Sequence, residues 1–170
     1  MRENKKYFKL CVFFSIVVFF IGIFFGCLGP NNISSLAPED STFSAIFTNN
    51  IKVSLAILIL GTITGGIFSQ LVIFINGFII GQLIMFMYNE NLLFYLFTGL
   101  LPHVFFELFG LSLFIGISHI PLLILVRWLR KNEFHLNKND VLFYLVIFFI
   151  GIVLIGSAAL IESNISSVNL

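Results

Sequence analysis

The chain has 170 residues, of which 59% are hydrophobic and only 10% charged, with 23 Phe and a net charge of +1. A soluble domain of this size is about 45–50% apolar and about 25% charged, and the mean hydropathy here is +1.08. These figures exclude a soluble domain, a disordered chain and a nucleic-acid binder. Too few charges remain to coat a surface, and no basic excess is present to meet phosphate. The expected class is all-α: a polytopic helical membrane protein, a single integral domain over 1–170, with the lipid bilayer as its first partner.

The charges then locate the helices. Arg2, Glu3, Lys5, Lys6 and Lys9 open the chain, and a charge-free run follows over 10–38. A span needs roughly 20 apolar residues, so a first helix is expected at about 8–29. Its apolar run exceeds the roughly 7–15 residues of a secretory signal core, so it is read as a retained anchor. Cys11 and Cys27 both lie on it. They would be about 24 Å apart, beyond disulfide reach, and are read as apolar fillers. A segment at 41–50 follows Pro38, Glu39 and Asp40 and is expected as a short interfacial helix on the outer face, capped by Ser41 or Thr42, that runs into the second span. The run from Ile51 to Tyr88 would measure about 57 Å as one helix, against a hydrocarbon core of about 30 Å. It is therefore split into spans at about 51–68 and 71–88, with a turn near Gly65–Gln70. The stretch 91–101 is too short to span and ends at Pro102, so a half-inserted or interfacial helix is expected there. Spans at about 103–126, kinked at Pro121, and 141–161 complete five crossings.

Orientation follows from Lys and Arg. With the N-terminal segment and the Arg127–Asp140 loop inside, eight of the nine basic residues are cytoplasmic and only Lys52 is outside. The expected localisation is the cell membrane, multi-pass, N-terminus in and C-terminus out. Arg127-Trp128-Leu129-Arg130-Lys131 reads as an inner-boundary anchor. Two sequons, at Asn32 and Asn164, both fall outside.

Three groups of residues carry potential function. Gly22/Gly26, Gly61/Gly65 and Gly77/Gly81 have the small-xxx-small spacing that lets helix backbones meet in lipid, within one subunit or between subunits. Asn49, Asn50, Thr62, Thr64, Ser69, Gln70, Asn76 and Gln82 form a polar set, read as hydrogen bonds between helices or as the lining of a path. An amide before glycine, as in Asn76-Gly77, can open or kink a helix. His103 and Glu107 lie four apart on one helical face, with Pro102 at the first helical position. Glu107 is the one charge with long apolar runs on both sides, and an intramembrane carboxylate is expensive unless it works.

Three readings of His103 and Glu107 stand: a structural His–Glu bond that ties the fourth span to the second and third through Asn50 or Asn76, a proton- or ion-handling site, and a metal site for hydrolysis. The last would need a third ligand and a general base, which His119 and His135 are too distant along the chain to supply. No His-Glu-x-x-His, Gly-rich phosphate loop or Gly-x-Ser-x-Gly is present. No catalytic, cofactor or metal residues are assigned, and no enzyme is expected.

Phe47-x-Asn49-Asn50, Asn76-Gly77-x-x-x-Gly81 and Leu101-Pro102-His103-x-x-x-Glu107 together resemble the stage II sporulation protein M family. The resemblance covers roughly 43–126 by motif and the rest by topology. It implies a mostly helical membrane protein without enzyme activity. In spore formers such proteins act as scaffolds for cell-wall hydrolases, and the family also occurs in organisms that never sporulate. The resulting expectation is a membrane scaffold or assembly protein that forms homo-oligomers, with membrane or cell-envelope proteins as partners. Its buried polar core would comprise Asn49, Asn50, Asn76, Gly77, Gly81, Pro102, His103 and Glu107. The alternative is a small transporter or channel using the same core.

Overall fold

A computed structural model describes residues 2–30, 42–92, 94, 96–131 and 137–166. The elements are α1 (Arg2–Leu28), α2 (Phe43–Ile63), α3 (Ile67–Asn89), a π-helical turn (Leu96–Leu100), α4 (Leu101–Ser118), α5 (Ile120–Lys131) and α6 (Lys138–Ser166). All regular structure among the described residues is helical. Among the described residues five stretches are long and apolar enough to cross a membrane: Asn4–Leu28, Phe43–Ile63, Ile67–Asn89, Leu101–Arg130 and Lys138–Asn164. Large apolar side chains such as Phe13, Phe20, Ile59 and Val153 face outward, as lipid-facing surfaces require.

The helix ends follow from local chemistry. Thr42 caps α2 by accepting from the Ala45 amide at 3.4 Å, while Ser41 and the Asn32 sequon lie outside the described residues. The α2–α3 turn is Thr64–Gly66, slightly earlier than expected. Gly65 and Gly66 supply the positive φ values of +63° and +95° that only glycine adopts freely. A Cβ on Gly66 would also overlap the His119 ring. At the other end of α3, Asn91 takes φ 60°. The Leu92 amide bonds back to the Met87 carbonyl at 2.8 Å, the six-to-one closure that lets Asn replace the usual glycine.

Residues 43–50 run into the second span as expected and form the first two turns of α2, because no Gly or Pro stands between Thr42 and Gly61. Lys52 consequently lies in the middle of α2, with its side chain exposed, rather than beside a span. The described part of 91–101 runs straight into α4 through the π-helical turn. Pro102 has no N–H for the Thr98 carbonyl, and its ring crowds that carbonyl, so the preceding turn widens. Asn76-Gly77 does not interrupt α3. The α4–α5 break falls at His119, just ahead of Pro121.

Packing centres on α4, whose span is 44% buried against 17–28% for the others. Phe19, Ile57, Ile73, Val104, Leu108, Leu111, Phe114, Ile115 and Ile155 make the core. α1 and α3 run side by side in the same direction with their glycines interleaved. A Cβ on Gly22 or Gly26 would overlap the Phe74 or Phe78 carbonyl, and one on Gly77 or Gly81 would overlap the Phe19 or Ile23 carbonyl. These glycines therefore serve contact inside one chain. At one end of the bundle α1, α5 and α6 meet. There the Arg127 guanidinium donates to the Asn4 side-chain oxygen, and the Asn4 amide donates to Asp140 at 3.4 Å.

Candidate functional site

At the opposite end, α4 opens on Leu101-Pro102 and carries His103 and Glu107 one turn apart. His103 Nε2 lies 3.2 Å from a Glu107 oxygen and 3.5 Å from a Glu162 oxygen on α6. Its Nδ1 lies 3.1 Å from the Ala158 carbonyl. That approach requires a small residue on α6, and Ala158 and Ala159 are both fully buried. The bond therefore ties α4 to α6, not to α2 and α3 as one expectation had it.

A carbonyl oxygen only accepts, so Nδ1 carries a proton and donates it to Ala158. Nε2 then faces two carboxyl groups, and a proton on the ring nitrogen or on either carboxyl makes the contact a hydrogen bond.

The cluster opens onto a cavity of about 300 Å³ among α1, α2, α3, α4 and α6. Asn49, Asn50 and Asn76 line it together with His103, Glu107 and Glu162. Asn50 is only 8% exposed, and its side-chain nitrogen has no partner among the described residues. Glu162 stands at the more open side, with its side chain 42% exposed. Below the polar lining, Phe19, Ile73 and Leu111 form an apolar floor. Beneath that floor the helices close on hydroxyls: Ser69 and Ser118 are 3.0 Å apart, against Gly61.

Of the residues expected in the polar core, Asn49, Asn50, Asn76, His103 and Glu107 come together at the cavity. Gly77 and Gly81 lie instead at the α1–α3 contact, and Pro102 positions the α4 start without lining the cavity. Glu162 is absent from the expected core because it falls one residue past the span expected at 141–161, whereas the structure places it at the cavity. The available signal was its isolation in an otherwise charge-free stretch, one turn after Ala158-Ala159. Among the described residues no group of three or more His, Cys, Asp or Glu is arranged to hold a metal ion.

Comparison with known proteins places these features in a family. The model of the family described as stage II sporulation protein M matches residues 15–167. An uncharacterized protein of Methanocaldococcus jannaschii is 32% identical over 170 residues, covering 93% of this chain and 94% of that one. No solved structure matches. The matched region takes in all five apolar helices except the first turns of α1, together with every residue of the cavity, and the chain belongs to the stage II sporulation protein M family.

Proposed function

We propose that this protein is a non-enzymatic scaffold of the cell membrane. It crosses five times with the N-terminus inside and the C-terminus outside, and assembles with further copies and with membrane or cell-envelope proteins. The observation that carries this reading is a polar stripe on the outer surface of α2. Ser44, Thr48 and Lys52 lie four apart and are all exposed, on a helix that is otherwise suited to lipid. A lysine at that depth is costly unless it finds a partner, and within a membrane the partner that suits it is a carboxylate or carbonyl on a neighbouring protein. The apolar floor of the cavity supports the same reading, because it closes the polar lining short of the other end of the bundle.

Lys52→Leu tests the proposal. The wild-type chain should run as an assembly in mild detergent by light scattering, and the variant should lose that assembly while keeping its helicity. A monomeric wild type that also cross-links to no partner in native membranes would sink the scaffold reading. The second reading, a transporter or channel, draws on the reach of the cavity down to Asn76. Flux of protons or alkali cations in proteoliposomes, lost in Glu107→Gln, would favour it.

A further inference from the structure

The scaffold reading leaves the end of the bundle where α1, α5 and α6 meet without a role. We propose that α5 is a surface helix that lies in the headgroup layer and binds anionic phospholipid, with its apolar side among the acyl chains and its arginine side against the lipid phosphates.

Length puts α5 outside the hydrocarbon core. As one rod Leu101–Arg130 would measure about 45 Å, against a core of about 30 Å. The break at His119 divides it. Over its 18 residues α4 alone reaches about 27 Å. The neighbouring helices end at the same level. Thr62, in the last turn of α2, donates to the Ser118 carbonyl at 3.3 Å. In the α2–α3 turn, a Cβ on Gly66 would overlap the His119 ring and one on Gly65 would meet Leu122 at 3.0 Å. The rest of α5 therefore continues past the ends of α2 and α3. Its 12 residues measure about 18 Å, too short to cross the core.

Unlike the spans, α5 has two distinct sides. Pro121, Leu125, Trp128 and Leu129 recur at helical spacing and share one side. All four are exposed, so the bundle does not cover that side. Arg127 and Arg130, three apart, lie on the opposite one. The Arg127 guanidinium donates to Asn4, which fixes the rotation of α5 against α1, and Arg130 is exposed. A helix that is apolar all round is suited to cross lipid, whereas one with an apolar and a basic side rests at its surface. Trp128 marks the same depth, since an indole favours the headgroup level.

Charge identifies the lipid. Over residues 2–9 and 127–140 the sequence carries eight Lys and Arg against three Asp and Glu. Lys6, Lys9 and Lys138, on the first turns of α1 and α6, are exposed, whereas Asp140 is buried and accepts from the Asn4 amide. A basic surface at headgroup depth attracts anionic lipid over neutral lipid. The apolar side of α5 continues the lipid-facing surface of the bundle, so the same bilayer covers it without a further component. A helix that served only as an anchor would need a polar end; one with a separate basic side discriminates between lipids.

Trp128 is the only tryptophan in the chain, so its fluorescence reports on α5 directly. The test uses the full chain in phosphatidylcholine nanodiscs, in which a rising share of the lipid is replaced by phosphatidylcholine or phosphatidylglycerol with brominated acyl chains. Both should quench Trp128, with a preference for brominated phosphatidylglycerol of about fivefold or more, the contribution of one basic residue near an anionic surface. High salt should lower that preference. The double variant Arg130→Gln with Lys131→Gln should bring it close to unity while brominated phosphatidylcholine still quenches, which shows α5 still seated in lipid. Arg127 is left in place because its bond to Asn4 holds α5 on the bundle. Equal quenching of the wild type by the two lipids would overturn the proposal, as would a preference that neither salt nor the double variant lowers. So would a folded protein whose Trp128 neither lipid quenches, the outcome expected if protein covers that side. The readout requires no assembly and is separate from the measurement with Lys52→Leu.

Discussion

His103 makes three contacts, and they are not equivalent in energy. Removing the ring in His103→Leu leaves Glu107 and Glu162 facing each other and the Ala158 carbonyl without its donor. Loss of one partner from a fully buried pair costs about 3–5 kcal/mol. Here Glu162 is 42% exposed, so the expected loss is on the order of 2 kcal/mol. Glu107→Gln keeps an acceptor for the ring and should cost less than about 1 kcal/mol. Thermal unfolding in detergent checks the order, and equal losses would show that the two carboxylates do not depend on the imidazole. Gly66 gives a second residue-scale expectation. Gly66→Ala combines a strained φ with overlap on the His119 ring and should destabilise by about 1–3 kcal/mol. Adding His119→Ala should recover the overlap but not the φ strain. The His–Glu spacing was readable in the sequence because four residues make one helical turn. The Ala158 and Glu162 contacts were not, because they join positions 55 and 59 residues away, and only the packing of α6 on α4 brings them together.

Between elements, the glycines divide into those that hold two helices together and those that do not. Gly81 meets the Ile23 carbonyl, a backbone atom with little freedom to yield, whereas the nearest neighbour of a Cβ on Gly156 is the Phe47 ring at 3.6 Å. Gly81→Ala should therefore push α1 from α3 and lower the melting point. Gly156→Ala should be neutral or raise it, since Ala favours a helix interior by about 1 kcal/mol. Equal effects at the two positions would show that the close α1–α3 approach does not bear on stability. The four-residue spacing identified the glycines as contact residues, but both a partner subunit and a neighbouring helix satisfy that spacing. The choice depends on α1 and α3 running parallel within one chain. The ends of elements were harder to read than their existence. The second span, expected at about 51–68 with a helix at 41–50 running into it, is one helix over Phe43–Ile63, because no Gly or Pro stands between Thr42 and Gly61 to break it.

Across the whole molecule, the two basic segments meet at one end, where Asn4, Arg127 and Asp140 are in contact. The polar cavity lies toward the other. The orientation proposed above has a direct check in a background with Cys11 and Cys27 replaced by Ser. Glu90→Cys should react with an impermeant maleimide added outside intact cells, and Lys138→Cys should react only after permeabilisation. The reverse pattern would overturn the orientation. By itself the sequence determined the class, the number of apolar helices and the family resemblance, because lipid solvent imposes a composition and a length on every segment independently of its neighbours. Tertiary structure decided which polar residues share a cavity, that Glu162 belongs with His103, and that Lys52 faces outward from mid-helix. Those facts depend on the rotation and depth of each helix against the others, which an apolar pattern running all the way round a helix does not specify.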